Sequence, residues 1–364
     1  MRAAVMRDRK MLTDSVPDPE PGAGEVLVKT LACGICGSDL HALRHADRMA
    51  EASREAGQQA LVMDPARDVV MGHEFCAEVV DHGPGTQKTL KAGTRVCSMP
   101  LLLRPSGVLG IGYSNEVPGG FAEYMVLNEM LLLEVPNGLS TECAALTEPM
   151  AVGLHAVEKA QLGPDDAALV IGCGPVGLAV IAALELAGVA PIVAADFSPR
   201  RRALAETLGA DLVVDPASAS PYASFEEAAA PDATGAPASS ALDLLGPSLR
   251  PAVIFECVGV PGVIQQILSS APRHARVVVA GVCMETDQIE PLHAVTRELN
   301  LQFVLGYTPE EFARTLRNIA EGRVPVEPLI TGKAGLDGVA AAFEELANPE
   351  RHAKIVVEPW RIGT

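Results

Sequence analysis

Cys36, His73 and Glu148 are potential metal ligands that lie far apart along the chain, and Glu74 adds a carboxylate next to His73. A thiolate, an imidazole and a carboxylate are ligand types that zinc accepts, and three protein ligands leave a fourth position for a substrate oxygen. Zinc held in this way acts as a Lewis acid and lowers the pKa of a bound water to ~7. The residue types therefore indicate a catalytic zinc site.

Further polar groups follow Cys36 closely, because Ser38, Asp39 and His41 all lie within five residues of it. A hydroxyl, a carboxylate and an imidazole at this spacing can support a metal ligand and form a path for protons. Cys33 forms a Cys-x-x-Cys pair with Cys36, but the sequence contains no second such pair and no βαβ pattern around it. We interpret Cys33 as a small buried residue at the end of a strand.

A glycine fingerprint, Gly172-Cys173-Gly174-Pro175-Val176-Gly177, follows a predicted strand and opens a predicted helix. The glycines of G-x-G-x-x-G permit a tight turn, close approach to a pyrophosphate and close packing of the helix on the sheet. Asp196 lies 19 residues after Gly177 and ends the second predicted strand. A carboxylate there accepts hydrogen bonds from the ribose hydroxyls and repels a 2′-phosphate, which predicts NAD as the cofactor.

Three arginines, Arg200, Arg201 and Arg202, follow Asp196 and allow two interpretations. They could hold phosphate oxygens on the adenosine, which would weaken the preference for NAD over NADP. They could equally form the solvated face of a helix.

The distribution of strands and helices predicts two domains, as expected for 364 residues, which exceed what one core usually supports. Short apolar strands punctuated by turns come first, and strands alternating with helices follow from about residue 154. The second pattern is typical of a doubly wound parallel sheet, so the fold class is α/β. We predict a first domain of residues 1–153, completed by 308–364, and a dinucleotide-binding domain of residues 154–307.

Two segments stand apart from these patterns. Residues 42–60 have helical composition and lie between Cys36 and His73, and residues 216–250 are rich in Ala, Ser and Pro. We predict that the second segment is a long loop with a short helix at residues 225–230.

Composition excludes several functional classes. The chain carries 28 basic and 46 acidic residues, a formal net charge of −18, so we expect no binding to nucleic acid or to an anionic membrane. Residues 167–184 are uncharged and long enough to span a bilayer, but they contain the fingerprint and are interpreted as a buried strand and helix. No secretory signal is visible, and eight dispersed cysteines do not suggest a disulfide framework, so we expect a cytoplasmic protein.

The chain resembles the zinc-dependent medium-chain dehydrogenases/reductases, and within them the sorbitol and threonine dehydrogenase branch of the zinc-type alcohol dehydrogenases. The motifs that carry the resemblance occur in family order and cover most of the chain: residues 34–41, 72–74, 118–124, 148–156, the glycine fingerprint and residues 256–259. The resemblance implies a GroES-like, mostly-β catalytic domain and a Rossmann domain for NAD.

The resemblance also implies roles for individual residues. Cys36 and His73 would bind zinc together with Glu148 or Glu74, and Asp39 would orient a ligand. The predicted catalytic residues are Ser38 and His41, which would pass the alcohol proton towards solvent via the cofactor ribose, and Glu74. The residues predicted to contact the cofactor are Gly172, Gly174, Pro175, Val176, Gly177, Asp196, Arg201, Val258 and Gly281.

The sequence departs from the family at two places. Many relatives hold a second, structural zinc with four closely spaced cysteines, whereas the corresponding region here contains only Cys97, so we predict one zinc per subunit. The segment between Cys36 and His73 is also longer than in most relatives. Residues 42–66 either shape the entrance for the substrate or form a surface helix without a function.

The sequence as a whole predicts a homodimeric or homotetrameric enzyme that transfers a hydride between a primary or secondary alcohol, possibly a polyol, and NAD. Its partner would be a small alcohol or the matching carbonyl compound. A zinc-free quinone or enone reductase of the same superfamily is the alternative enzyme. A non-catalytic dinucleotide-binding protein is the remaining possibility, although the potential metal ligands and relay residues are all present.

Overall fold

The structure is a computed structural model that describes residues 1–57, 63–136, 138–230 and 249–362. The chain forms two compact units, one of Met1–Pro149 with Pro309–Thr364 and one of Met150–Thr308. The first unit is therefore assembled from both ends of the chain.

The first unit is built mainly from β-strands. Its strands are β1 Arg2–Arg7, β2 Lys10–Ser15, β3 Glu25–Gly34, β4 Val69–Val70, β5 Glu74–His82, β6 Arg95–Ser98, β7 Leu101–Arg104, β8 Gly107–Gly110, β9 Tyr124–Asn128, β10 Leu132–Glu134, β17 Ile330–Ala334 and β18 Lys354–Val357. The larger sheet has the order β10-β6-β5-β3-β18-β17, with β9 also paired to β3. Strands β2-β1-β4 and β7-β8 form smaller sheets.

Strand β3 organises this unit because it pairs with β5, β9 and β18. Its side chains alternate in burial over much of its length, as expected for a strand with one face on a core. Val26 and Val28 of β3 pack with Phe121, Met125 and Ile355 in one buried cluster. The cluster joins residues from both ends of the chain, so the C-terminal segment is part of the core.

Helix α1, Gly37–Glu55, begins directly after Cys36. Ala42, Ala46 and Ala50 recur every four residues and are buried, while the backbone departs from helical angles at His45. Of the predicted helical segment 42–60, residues 42–55 belong to a longer helix that starts at Gly37, and residues 58–62 lie outside the described part of the chain. The other helices that belong wholly to this unit are α2 Thr141–Ala145, α9 Pro309–Ala320 and α10 Val339–Leu346.

The second unit contains a six-stranded sheet. Its strands are β11 Ala167–Ile171, β12 Ile192–Ala195, β13 Leu212–Val214, β14 Ala252–Glu256, β15 Arg276–Val279 and β16 Asn300–Phe303. All pairs are parallel, and the order is β13-β12-β11-β14-β15-β16. This order reverses direction between β11 and β14, which is where doubly wound sheets bind ligands. The prediction of an α/β fold with a Rossmann sheet is confirmed.

The helices of this unit connect the parallel strands. They are α4 Pro175–Leu186, α5 Pro199–Thr207, α6 Pro221–Ala228, α7 Val263–Ser270 and α8 Pro291–Arg297, while α3, Thr147–Lys159, contains the boundary between the units. The uncharged residues 167–184 form β11 and most of α4, as expected for a buried strand and helix. No helix within the described ranges is long and apolar enough to cross a membrane.

The alanine- and proline-rich segment differs in part from the prediction. Its helix is Pro221–Ala228 rather than residues 225–230, and Ser220 caps it, because the Ser220 side chain accepts a hydrogen bond from the backbone N–H of Ala223. A serine at the N-cap followed by proline is a strong signal for the start of a helix, and the prediction did not take it into account. Residues 231–248 of the predicted loop lie outside the described part of the chain.

Candidate active site

Three of the predicted ligands form a compact group in the first unit. The ligand atoms of Cys36, His73 and Glu74 all lie within 4.8 Å of one another. A zinc ion with bonds of ~2.0–2.3 Å needs its ligands roughly 3.3–3.8 Å apart, so small side-chain movements suffice to close this set around one ion. One sulfur, one nitrogen and one oxygen donor are also ligand types that zinc accepts. The residues present therefore fit the metal that the sequence predicts.

Cys36 lies at the N-terminus of α1, where the helix dipole favours an anionic group. Asp39 fixes this turn, since its Oδ2 accepts a hydrogen bond of 2.9 Å from the backbone N–H of Cys36. The same carboxylate reaches the second ligand, because Asp39 Oδ1 lies 3.3 Å from His73 Nδ1. Asp39 thus contacts both residues and leaves His73 Nε2 for a metal.

His73 immediately precedes β5 and is buried. The ring of Tyr113 packs beside it, with the two ring centroids 5.2 Å apart and the planes tilted by 35°. Burial opposes protonation of the imidazole, but the electrostatic effects of Tyr113 and Asp39 and a hydrogen bond to Cys36 outweigh it and raise the pKa of His73 well above its ordinary value. The surroundings of His73 therefore favour positive charge at this point.

Glu74 is fully buried and paired with a lysine from the C-terminal segment. Lys354 Nζ lies 2.6 Å and 2.7 Å from the two carboxylate oxygens of Glu74 and donates a third hydrogen bond of 3.0 Å to the carbonyl of Ile35. Burial opposes the charge of Lys354, yet Glu74, Cys36 and Glu148 raise the pKa of its ammonium group. One cation is thus shared by the acidic groups of the site.

Glu148 occupies the first turn of α3 and is 9% exposed. It does not belong to the group formed by Cys36, His73 and Glu74. Its negative charge nevertheless acts on Lys354, which places it in the electrostatic neighbourhood of the site.

The predicted proton path begins beside Cys36. Ser38 Oγ accepts a hydrogen bond of 2.8 Å from the hydroxyl of Tyr113, and His41 is half-buried one turn further along α1. Burial, together with the nearby positive groups His45 and Arg44, lowers the pKa of His41. A lowered pKa keeps the imidazole neutral near pH 7, as a proton acceptor requires.

The glycine fingerprint lies between β11 and α4 in the second unit. Gly172 has a φ of +94°, and a Cβ at Gly177 would lie 1.8 Å from the carbonyl oxygen of Gly172, so only glycine allows this turn. Gly174 precedes the helix, and Pro175 and Val176 form its first two positions. The open N-terminus of α4 thus presents backbone N–H groups to a phosphate.

Asp196 follows β12 and is held by two backbone groups. Its Oδ2 accepts from the N–H of Cys173 and its Oδ1 accepts from the N–H of Ser198, both at 2.8 Å. Arg201 Nη1 lies 3.8 Å from Oδ2, while Arg202 donates to the carbonyls of Asp196 and Phe197 and pairs with Asp215. Arg202 is therefore used within the protein, and Arg201 is the arginine placed beside the carboxylate.

Val258 and Gly281 lie at the carboxyl ends of the neighbouring strands. Buried Glu256 accepts hydrogen bonds from the backbone N–H groups of Val258 and Gly259. A Cβ on Gly281 would lie 2.4 Å from the backbone nitrogen of Gly259, so the two loops are in close contact. The predicted cofactor residues thus come together at the edge where the strand order reverses.

Cys97, the remaining cysteine in the region of the family's structural zinc, lies on β6 and is buried. Its thiol donates to the carbonyl of Ala144 at 3.2 Å, and a hydrogen bond to Cys76 together with burial raises its pKa. Cys33 is also buried, and desolvation raises the pKa of its thiol well above the ordinary value. Both residues behave as neutral core thiols.

Sequence reasoning missed Lys354 and Tyr113. A lysine within the apolar strand Lys354–Val357, buried at every position, is a signal that a buried acidic partner exists. Tyr113 lies in a loop after β8 and carries no comparable signal in the sequence.

Comparison with protein families identifies both parts of the chain. Residues 22–137 match the model of the alcohol dehydrogenase GroES-like domain, and residues 175–321 match that of the zinc-binding dehydrogenases. The first match covers β3 to β10, and the second covers the chain from α4 to α9, which includes five of the six strands of the Rossmann sheet.

Individual relatives match over nearly the whole chain. (R,R)-butanediol dehydrogenase of Bacillus subtilis is 33% identical over 99% of this chain and 100% of its own length. The solved structure of the B. subtilis 2R,3R-butanediol dehydrogenase has a TM-score of 0.80 and 31% identity, and the match covers 98% of this chain and 99% of that chain. Sorbitol dehydrogenase of Bos taurus is 30% identical over 91% of this chain and 88% of its own. A putative zinc-binding dehydrogenase of Sinorhizobium meliloti, solved with NADP, is 26% identical with a TM-score of 0.77 and covers 98% and 99%.

Replacement of Lys354 by Met should destabilise the first unit. Because Glu74 would keep a buried charge without its partner, we expect a loss of roughly 3–5 kcal/mol in the free energy of unfolding. Denaturant unfolding in the presence of a chelator measures this loss without a contribution from bound metal.

Lys333→Met provides the matched control, because Lys333 pairs with Glu142 and Glu358 at 37% exposure. An exposed pair of this kind contributes at most about 1 kcal/mol. Equal effects of the two substitutions would contradict the importance given to the Lys354–Glu74 pair.

Proposed function

The chain belongs to the zinc-dependent alcohol dehydrogenase family, and on that basis we propose that it oxidises a secondary hydroxyl group of a small diol or polyol with NAD as the hydride acceptor. It is an oxidoreductase acting on CH–OH groups. The single observation that carries the proposal is the group formed by Cys36, His73 and Glu74. A zinc-free quinone or enone reductase has no use for such a group and is not favoured.

The residues of the first unit would hold one catalytic zinc ion. Cys36 and His73 supply the thiolate and imidazole, and Glu74 is the carboxylate whose oxygen lies within the same group. Glu148 is the alternative carboxylate, and its effect on Lys354 supports a place near the ion. Bound zinc would supply Lewis acidity, which makes a hydroxyl proton easier to lose.

Ser38 and His41 would remove that proton. Ser38 Oγ receives the proton of the alcohol and releases its own proton, and the neutral imidazole of His41 accepts a proton and passes it to solvent. The lowered pKa of His41 supports this direction of transfer. Bound NAD would accept the hydride, so an alcohol that gives up one proton along this path would become a carbonyl compound.

The second unit would bind NAD at the edge formed by Gly172, Gly174 and Gly177, with Pro175 and Val176 at the start of the helix and Val258 and Gly281 on adjacent loops. Asp196, held by two backbone N–H groups, would accept hydrogen bonds from the adenosine ribose. Arg201 would contact the adenosine side of the cofactor. The fixed carboxylate supports NAD over NADP, because a 2′-phosphate would meet a negative charge.

The proposed substrate class comes from the relatives. Butanediol and sorbitol both carry a secondary hydroxyl next to a second hydroxyl, and dehydrogenases named for them match almost the whole chain. The functional test is NAD reduction with vicinal diols, polyols, simple primary and secondary alcohols and 3-hydroxy amino acids, with and without a chelator. We expect chelator-sensitive turnover with vicinal diols, whereas chelator-resistant reduction of an enone would contradict the proposal.

Replacement of Cys36 by Ser should remove the metal. Loss of the thiolate ligand should weaken zinc binding by more than ~10-fold and abolish diol oxidation. Metal analysis after dialysis measures retention, with Cys143→Ser as the control because Cys143 is a half-buried thiol outside the group. A zinc-free, fully active Cys36→Ser variant would overturn the metal assignment.

Replacement of Asp196 by Ala should weaken NAD selectively. Loss of a charged acceptor for the ribose should raise KM for NAD roughly 10- to 100-fold and reduce the preference over NADP. Steady-state kinetics with both cofactors measure this change. Asp215→Ala is the control, because Asp215 pairs with Arg202 instead, and comparable use of NAD and NADP by the wild type would remove the role given to Asp196.

We also propose a homodimer or homotetramer and a reducing, cytoplasmic location. Strand β16 is an edge strand of the parallel sheet and exposes Phe303 at 61%, while Leu292 and Val295 of α8 are exposed at 70% and 69%. An exposed apolar edge favours pairing with a second copy about a twofold axis. The eight cysteines are free thiols, which supports a reducing compartment.

Replacement of Phe303 by Lys should disrupt the proposed association. A charge at the apolar edge opposes strand pairing, so sedimentation should show a smaller species than the wild type. Leu212→Lys on β13, the opposite edge of the sheet, should leave the size unchanged. A monomeric wild type at micromolar concentration would contradict the proposal.

A further inference from the structure

Tyr113 is a buried aromatic residue that contacts two functional groups of the first unit at once. Its hydroxyl donates a hydrogen bond of 2.8 Å to Ser38 Oγ, and its ring packs 5.2 Å from the ring of His73. Only 7% of the residue is exposed. Tyr113 and Ser38 are separated by 75 positions along the chain.

The loop that carries Tyr113 is fixed against the His73 loop. Gly112 has a φ of +89°, and a Cβ there would lie 3.1 Å from three backbone atoms of Gly72, the residue before His73. The backbone N–H of Tyr113 also donates to the carbonyl of Gly110 at 3.1 Å. Close backbone packing therefore places the phenol on one side of His73 and aims its hydroxyl at Ser38.

We propose that Tyr113 is a positioning residue for proton transfer, acting through Ser38. A serine hydroxyl has one donor and two acceptor sites and rotates freely unless a partner fixes it. By donating to Ser38 Oγ, Tyr113 occupies one of the two acceptor sites of that oxygen and limits its rotation. The second acceptor site of Ser38 then has a fixed direction, and the O–H of Ser38 is free to donate. Ser38 can then receive the alcohol proton and release its own, while Tyr113 keeps its proton throughout.

This inference rests on the proposed alcohol oxidation, and it assigns separate tasks to the two parts of Tyr113. The ring supports the imidazole of His73, and the hydroxyl orients Ser38. Tyr113→Phe removes only the hydroxyl, so it tests the second task while the ring stays beside His73.

The Tyr113→Phe variant should lose turnover without losing its metal site. We expect kcat for diol oxidation to fall roughly three- to ten-fold, the effect of one net hydrogen bond, with KM changed less than about two-fold. Zinc content and the visible spectrum of the cobalt-substituted protein should match the wild type, because the contact with His73 remains. Tyr124→Phe is the matched control, since Tyr124 packs its ring against Trp360 elsewhere in the same unit.

A double-mutant cycle with Ser38→Ala separates a positioning role from a structural one. If Tyr113 acts through Ser38, kcat of the double variant should lie within about two-fold of that of Ser38→Ala alone. A residue with an independent, structural effect would instead give the product of the two single losses.

The possible failures are distinguishable. Multiplicative losses in an active wild-type background, or an altered cobalt spectrum in Tyr113→Phe, would overturn the inference and leave the proposed function intact. A wild-type protein that oxidises no alcohol would overturn the proposed function and the role of Tyr113 with it.

Discussion

The buried ion pair between Lys354 and Glu74 is the interaction on which the group of potential ligands Cys36, His73 and Glu74 depends. Removing two such charges from water costs several kcal/mol per ion, and only close geometry with further hydrogen bonds offsets that cost. Here both carboxylate oxygens and the carbonyl of Ile35 meet the ammonium group. The pair fixes Glu74 beside Cys36 and His73. It also links β18, which contains Lys354, to β5, which begins at Glu74.

The surrounding groups extend this arrangement. Asp39 contacts both Cys36 and His73, Glu148 adds a negative charge, and Lys354 offsets only part of the total. A cluster with an excess of buried acidic groups is stable only with cations close to it. The same electrostatics that hold the ligands together therefore favour a divalent ion at this point.

The second unit uses a different means of preparing its site. In the proposed NAD site the carboxylate of Asp196 is fixed by backbone N–H groups, and the N-terminus of α4 would receive the phosphates. Backbone groups of this kind need few specific side chains, so glycine spacing and strand order suffice to build the site.

The sequence by itself determined the fold class, the family and the ligand candidates. Strand β11, its glycine turn and α4 are contiguous, so local periodicity and glycine spacing reveal them. Cys36 and His73 were identifiable because each lies in a short motif that resembles a known family. The predicted start of α6 was less accurate because the prediction did not consider the serine that caps the helix.

Only the tertiary structure decided which groups surround those candidates. Lys354 reaches Glu74 across 280 positions because β18 pairs with β3, and Tyr113 reaches Ser38 because two loops pack backbone to backbone. It also brought Glu74, rather than Glu148, into the group with Cys36 and His73. Such contacts depend on strand register and loop packing, which arise from many weak interactions across the whole unit and leave no local pattern in the sequence.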